Sequence, residues 1–424
     1  MSDELARLVR AAQSEHRLPS VAAAVVVRGE PVLETAIGFA DAEGREAAPD
    51  MQYRIGSITK TFTAAAVMAL VDEGAVGLDD PVGKHVTEAG DRPLTIRRLL
   101  SHSSGLQREP PGSGWETMVV PTTAELLASL DQAEQALEPG RWWHYSNLAY
   151  FLLGEVVARL NGKPYPQVVE ELLLGPAGLG RTSWQPVAPV ATPYYVDPYS
   201  GVLEPEPDIP EPTPTGGLWS TAGDLCRWGS WLREREAMHV VQVMADPEGW
   251  SLAHGLGLML YRRGDRILYG HDGAMPGFLA SLQCSREEDV QAAVLANATT
   301  PAIAVTLLAL KLAERAIELH PREPEIWRGQ QAPPPDIEAL LGIWWSEGSQ
   351  FVFSWSDGNL EARLAWSRQK PSVFAAEGPD RFRVVSGRER GEILEVVRDE
   401  TGAVAKLYWA AYPFTREPGT FGAS

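Results

Sequence analysis

The strongest constraint on the fold is a pair of β-rich blocks set far apart in the chain. Ser20 to Arg28 (SVAAAVVVR) and Val32 to Gly38 read as two strands joined by Gly29-Glu30-Pro31, a hairpin signal. The β pattern returns only from Leu256 to Ala296, in short runs that include a Gly264-Asp265 turn. Between the blocks, apolar residues recur at helical spacing over Thr59 to Gly74, Thr122 to Ala136, Ser146 to Asn161 and Pro166 to Leu174, and a further helix, Thr221 to Arg235, follows Gly216-Gly217. Because the hairpin and the late strands flank a long helical insert, the simplest packing is one antiparallel sheet built from both ends, with a helical lobe beside it. That is an α+β arrangement.

The helix Pro301 to Leu319 is amphipathic, since Lys311, Glu314 and Arg315 break its apolar run at helical spacing. After it, His320 to Asp336 (HPREPEIWRGQQAPPPD) lacks periodicity and is rich in proline, which marks a linker. The expected division is a first domain over 1–320, a linker over 321–336 and a second domain over 337–424. Leu341 to Ala411 alternates apolar and polar residues between turn signals, so the second domain reads as a small all-β meander or barrel. Pro186 to Pro214 stands apart within the first domain: nine prolines, five acids (Asp197, Glu204, Glu206, Asp208, Glu211) and no basic residue make it a long, stiff, acidic loop.

A formal charge of −19 repels phosphate backbones and anionic lipid, so nucleic acid is not an expected partner. No apolar stretch reaches the length of a membrane span and Met1 to Pro19 has no signal-peptide core, which makes a cytoplasmic protein the expectation. Cys226 and Cys284 lack metal spacing and read as buried free thiols. The eight histidines are never closer than fifteen positions, so no helix carries two as zinc ligands, and no metal site is expected. No serine sits in a Gly-x-Ser-x-Gly elbow, and Gly270, Gly273 and Gly277 have the wrong spacing for a dinucleotide fingerprint.

What remains is Ser57-Ile58-Thr59-Lys60 at the start of the helix running to Gly74. Residues three apart on a helix share a face, so the Ser57 hydroxyl and the Lys60 amine can meet. Only 6 of the 37 basic residues are lysine, and arginine could not serve here, because acting as a base requires a shift of roughly three pKa units, about 4 kcal/mol. Burial under an apolar helix face can supply that shift. A second Ser-x-x-Lys, Ser367 to Lys370, falls in the β domain and reads as a solvent-facing chance match. Tyr145-Ser146-Asn147 opens a helix and offers a phenol and a carboxamide two residues apart; the alternative is a helix cap beside a half-buried tyrosine. Gly270-His271-Asp272-Gly273-Ala274 pairs a titratable ring with a glycine that permits close backbone approach, or else is an ordinary turn. A Ser-His-Asp triad through Asp272 is rejected, since adjacent strand residues point to opposite faces. His102 reads as a packed loop residue, and Trp142 and Trp143 as candidate walls of the site.

These three elements, in this order, resemble the serine β-lactamase and penicillin-recognising superfamily, in its class C-like branch of esterases, D-aminopeptidases and carboxypeptidases, over roughly residues 5–315. The blocks LLSHSSGL (Leu99 to Leu106), PGRWWHYSN (Pro139 to Asn147), GGLWSTAGDL (Gly216 to Leu225) and GHDGAMPGF (Gly270 to Phe278) are similar to that family's as well. The β domain more loosely resembles the lipocalin-like units attached to some members. The resemblance implies Ser57 as nucleophile, Lys60 as its general base, Tyr145 as proton carrier and Asn147 as holder of the substrate amide. It also implies an oxyanion hole from the backbone amides of Ser57 and Ala274, beside Gly273, and acyl-enzyme chemistry without a cofactor. His271 stands where class C β-lactamases usually have lysine, so the attraction for a substrate carboxylate is weakened. The expected activity is hydrolysis of esters or amides, with D-amino-acid amides or short peptides favoured if the acidic loop lies over the site. A DD-carboxypeptidase or weak β-lactamase is the alternative, and a non-catalytic scaffold the reading of another class. The β domain is a candidate for self-association into a homo-oligomer or for restricting access to the site.

Overall fold

Ser20–Val27 contains only alanine and valine after its first residue, and nearly every position is buried. Such a strand has to be covered on both edges and both faces. Glu30–Gly38 pairs with one edge, and Val290–Ala296 with the other, in the antiparallel register Val21 to Ala296 through Val27 to Val290. The two ends of the first unit are thereby closed into one eight-stranded sheet, ordered Glu30–Gly38, Ser20–Val27, Val290–Ala296, Phe278–Ser285, Arg266–Met275, Met259–Arg263, Leu252–His254, Val243–Met244. This is a β-lactamase/transpeptidase-like α+β fold. The computed structural model describes residues 2–112, 114–207, 209, 212–299, 301–323 and 326–419. It divides into two units, 1–322 and 323–424.

Two apolar layers sandwich the sheet. The helices Ser2–Glu15 and Ala302–Leu319 pack Leu5, Val9, Leu308, Leu312 and Ala316 against one face. On the other face lie Ala222–Arg233 and the helical lobe, centred on Thr59–Asp72 and Asn147–Asn161. Thr59–Asp72 is buried at every position from Thr59 to Met68, so it is a core helix rather than an amphipathic one. Its Phe62 stacks on Trp228 at 3.9 Å between ring centroids, and the Trp228 indole donates to Thr61 Oγ1 at 2.7 Å.

Two expected elements differ. The helix expected over Thr122 to Ala136 ends at Ala128, followed by a 3-10 turn at Leu130–Gln132. Thr122 and Glu125 form a capping box at its start, but Glu134 and Leu137 pair instead with Gln107 and Gly105 through backbone hydrogen bonds of 3.0 Å. The acidic loop carries its own small hairpin, Tyr194–Val196 with Leu203–Pro205, closed by an Asp197 carboxylate that accepts from the Tyr199 and Ser200 amides. Asp208 and Glu211 of that loop lie outside the described residues. Cys226 and Cys284 are both buried free thiols. Among the described residues no helix is long and apolar enough to cross a membrane.

In the second unit, eight strands from Gly342–Ser346 to Tyr412–Phe414 each pair with the next, and a bridge from Trp345 to Thr415 ties the last segment back to the first. The result is a nearly closed, lipocalin-like antiparallel barrel. Ser367 to Lys370 lies outside any helix, with Lys370 exposed. Phe353 occupies the centre of the barrel's aromatic core, with Phe374, Trp344, Trp409 and Phe414 all within 6.4 Å between ring centroids. Phe353→Ala should therefore destabilise the barrel by about 3 to 5 kcal/mol, measured as a lowered unfolding transition in calorimetry of the full chain.

Candidate active site

Ser57 stands in a single 3-10 turn, Gly56–Ile58, that leads into the core helix Thr59–Asp72. Gly56 has φ +50°, and a Cβ there would come within 2.6 Å of Ala274 N. A Cβ on Gly273 would lie 1.9 Å from Ile55 O and 3.2 Å from Ser57 N. Two glycines thus let the turn that carries Ser57 press directly on the strand Arg266–Met275, bringing the backbones of Ser57 and Ala274 to one wall.

Lys60 is fully buried. Its Nζ lies 3.2 Å from Ser57 Oγ and donates to Thr215 O at 2.7 Å. Burial pushes its pKa well below the ordinary lysine value; nearby Glu109 opposes this and Arg108 adds to it. A neutral amine keeps a lone pair that can accept the Ser57 proton. Tyr145 O–H donates to Ser57 Oγ at 2.8 Å, and burial raises its pKa, so the phenol keeps its proton in the resting site. Tyr145 directly precedes the N-cap of the helix Asn147–Asn161, where the Ser146 side chain accepts from Ala149 N. Arg108 lies over the Tyr145 ring at 5.0 Å.

Asn147 donates through Nδ2 to Glu109 Oε1 at 2.7 Å, and its buried Oδ1 has no partner among the described residues. Because a carboxylate only accepts, Glu109 fixes Nδ2 as the end of the carboxamide that meets it. Glu109 and Thr215 carry no motif of their own, and only their position in space reveals them.

His271 lines the same cavity but is buried. Its Nδ1 donates to Asp272 O at 2.6 Å, and burial pushes its pKa down to about 3. It is a neutral ring and offers no cation to a carboxylate. The Asp272 carboxylate makes no bond to the His271 ring and accepts from Tyr261 and Ser281 at 2.6 Å each. His102 and His254 lie beside it: the histidines that sequence spacing kept apart meet in the tertiary structure. The cavity has a volume of about 1270 Å³ and is walled by Trp115, Trp143, Phe151, Met259 and Ile303. Trp142 is half exposed and outside that wall, with Arg141 over its ring. From the acidic loop, Glu206, Ile209 and Thr213 reach the cavity.

A serine with a buried amine and a phenol both at its hydroxyl, set between a core helix and a sheet edge, places the protein among the active-site-serine, Ser-x-x-Lys group. The chain belongs to the Beta-lactamase family, whose model matches residues 5–315. A Domain of unknown function (DUF7586) matches residues 333–416. The D-alanyl-D-alanine-carboxypeptidase/endopeptidase AmpH of Escherichia coli (strain K12) is 33% identical over 192 residues, 42% of this chain and 48% of that protein. A D-aminopeptidase of Brucella anthropi is 26% identical over 416 residues, 93% of this chain and 76% of that protein. The match to the first of these relatives thus spans about half its length. Among solved structures, the octameric penicillin-binding protein homologue from Pyrococcus abyssi shares the fold, with a TM-score of 0.65 at 24% identity, covering 98% of this chain and 99% of that one.

An amine held neutral in the folded state takes up a proton on unfolding below its ordinary pKa near 10.4, so it makes stability rise with pH up to about that value. Lys60→Met should therefore be more stable than the wild type at pH 7 and lose that advantage towards pH 10, measured by denaturant unfolding at both pH values, while losing hydrolytic activity.

Proposed function

We propose that the protein is a serine acyl-hydrolase that cleaves esters or amides through a covalent acyl-enzyme. The observation that carries this reading is the contact of Ser57 Oγ with the buried Lys60 Nζ at 3.2 Å and with Tyr145 at 2.8 Å. Ser57 Oγ bonds to the acyl carbon as its proton passes to Lys60 Nζ. The carbonyl oxygen becomes an oxyanion facing the backbone amides of Ser57 and Ala274. As the intermediate collapses, the leaving group departs with a proton delivered through Tyr145, which is replenished from Lys60. A water then attacks the acyl carbon, giving up its proton to the same pair, and Ser57 leaves with its hydroxyl restored. Asn147 Oδ1 accepts an N–H of the substrate.

Substrates with a free amine are favoured. Glu206 lines the cavity, and its carboxylate accepts from Thr299 Oγ1 at 3.1 Å. The neutral His271 leaves the usual carboxylate-binding position without charge, which supports amine-bearing amides, esters or short peptides over β-lactams or terminal D-alanine. The named activity of the Brucella relative, D-aminopeptidase, agrees with this. Self-association is part of the proposal, prompted by the octameric Pyrococcus homologue. A cytoplasmic setting accords with the two free thiols.

Hydrolysis of p-nitrophenyl acetate should fall by at least about 10³-fold in Ser57→Ala; equal rates in both proteins would refute the enzymatic reading. A D-alanyl anilide should be cleaved about tenfold faster than its N-acetylated form, with the preference reduced in Glu206→Gln, since removing one charge from the amine's site weakens that pairing by about 1 to 2 kcal/mol. Equal rates for the two anilides would sink the amine preference.

A further inference from the structure

His102, His254 and His271 come from the loop after Leu100, from the strand Leu252–His254 and from the strand Arg266–Met275. Each ring brings one nitrogen within 4.8 Å of the others'. All three side chains are buried, and in each the Nε2 atom has no protein partner among the described residues. An unpartnered polar atom out of water is costly, so three of them in one small volume call for an occupant.

A transition-metal ion and a water molecule both suit three imidazoles, and the Nδ1 atoms discriminate between them. His254 Nδ1 is 3.1 Å from Gly255 O, and His271 Nδ1 is 2.6 Å from Asp272 O. A carbonyl only accepts, so both rings carry their proton on Nδ1 and present a lone pair at Nε2. His102 is the reverse: its Nδ1 accepts from Ser146 N at 3.1 Å, which puts its proton on Nε2. The cluster therefore offers two lone pairs and one N–H. A metal needs a lone pair from every ligand and nitrogens at about 2.0 to 2.1 Å. The nitrogens lie within 4.8 Å of one another, close enough for a single water at their centre to reach all three by hydrogen bonds. Water matches both demands: two O–H groups donate to His254 and His271, and the oxygen accepts from His102.

We propose that His102, His254 and His271 form a water-binding cage that fixes the positions of the Tyr145–Asn147 and His271–Ala274 segments, and that the cluster is not a metal site. The positioning part rests on the reading of Tyr145 as a proton carrier. His102 is the centre of the device. Its Nδ1 anchors the backbone amide between Tyr145 and Asn147, and its ring stacks on Tyr145 at 4.3 Å between centroids and 27°. It holds this place at φ +55°, a conformation that costs energy for a residue with a side chain. The His254 ring meets it edge-on at 4.9 Å. Neither His102 nor His254 lines the cavity that holds Ser57, so both are positioning residues.

NMR of the full chain with ¹⁵N-labelled histidine tests the cage directly, because protonated and bare ring nitrogens are spectrally distinct. The expected pattern is Nδ1–H on His254 and His271 and Nε2–H on His102, unchanged by one equivalent of zinc. A proton on His102 Nδ1, or equimolar zinc bound through the Nε2 atoms, would overturn it. In kinetics, His254→Leu should lower kcat for p-nitrophenyl acetate about tenfold, while His254→Gln, whose Oε1 can accept in place of Nε2, recovers to within about threefold of wild type. Equal loss in both variants, or none in either, would overturn the positioning role. Hydrolysis that persists in Ser57→Ala would instead strike the hydrolase reading, and the NMR result would stand independently of it.

Discussion

Lys60 Nζ lies 3.2 Å from Ser57 Oγ on a helix with hardly any solvent-facing side, and the first unit is arranged around that contact. A lysine amine in water is charged and has no lone pair to offer. Keeping it neutral requires a helix covered on all sides, and that in turn requires the sheet behind it and the lobe around it. Closing the sheet from both ends of the unit, through the pairing of Ser20–Val27 with Val290–Ala296, supplies one of those walls. The same burial raises the Tyr145 phenol and lowers the three neighbouring histidines, so the groups nearest Ser57 stay uncharged together. Uncharged groups at close range do not repel one another, which lets an amine, a phenol and three imidazoles share a volume that their ions could not.

Charge is kept instead at the periphery of the cavity. Arg108 and Glu109, consecutive in one loop, address the outer two residues of the Tyr-x-Asn element: the guanidinium lies over the Tyr145 ring, and the carboxylate accepts from Asn147. Glu206 reaches in from the acidic loop. The overall negative charge, which in the sequence excludes polyanionic partners, thus has a local expression at the mouth of the site.

Much of this was legible in the sequence where the signal is local. Ser57 and Lys60, three apart on an apolar helical run, and the alternation of the barrel strands rest on periodicities that one segment carries by itself. The same locality explains the misses. Thr122 to Ala136 has helical spacing throughout, yet Glu134 and Leu137 exchange helical bonds for pairing with Gln107 and Gly105, a choice made by a segment about thirty positions away. The histidines, judged by their spacing, promise nothing, because a ligand or hydrogen-bond cluster needs proximity in space and not in sequence. Gly56, Glu109 and His254 have no pattern to betray them.

By itself the sequence determined the division into a sheet-and-helix unit and an all-β unit, the spacing of Ser57 and Lys60 on one helix start, and the order of the three elements around them, since these follow from short-range pattern and from residue chemistry. Only the tertiary structure decided the ionisation, the tautomers and the orientation of the site. Those depend on how much water each group loses and on which carbonyl, amide or carboxylate it meets, as when Ser146 N–H turns His102 one way and Gly255 O turns His254 the other. Such partners are chosen when distant strands and loops close on one another.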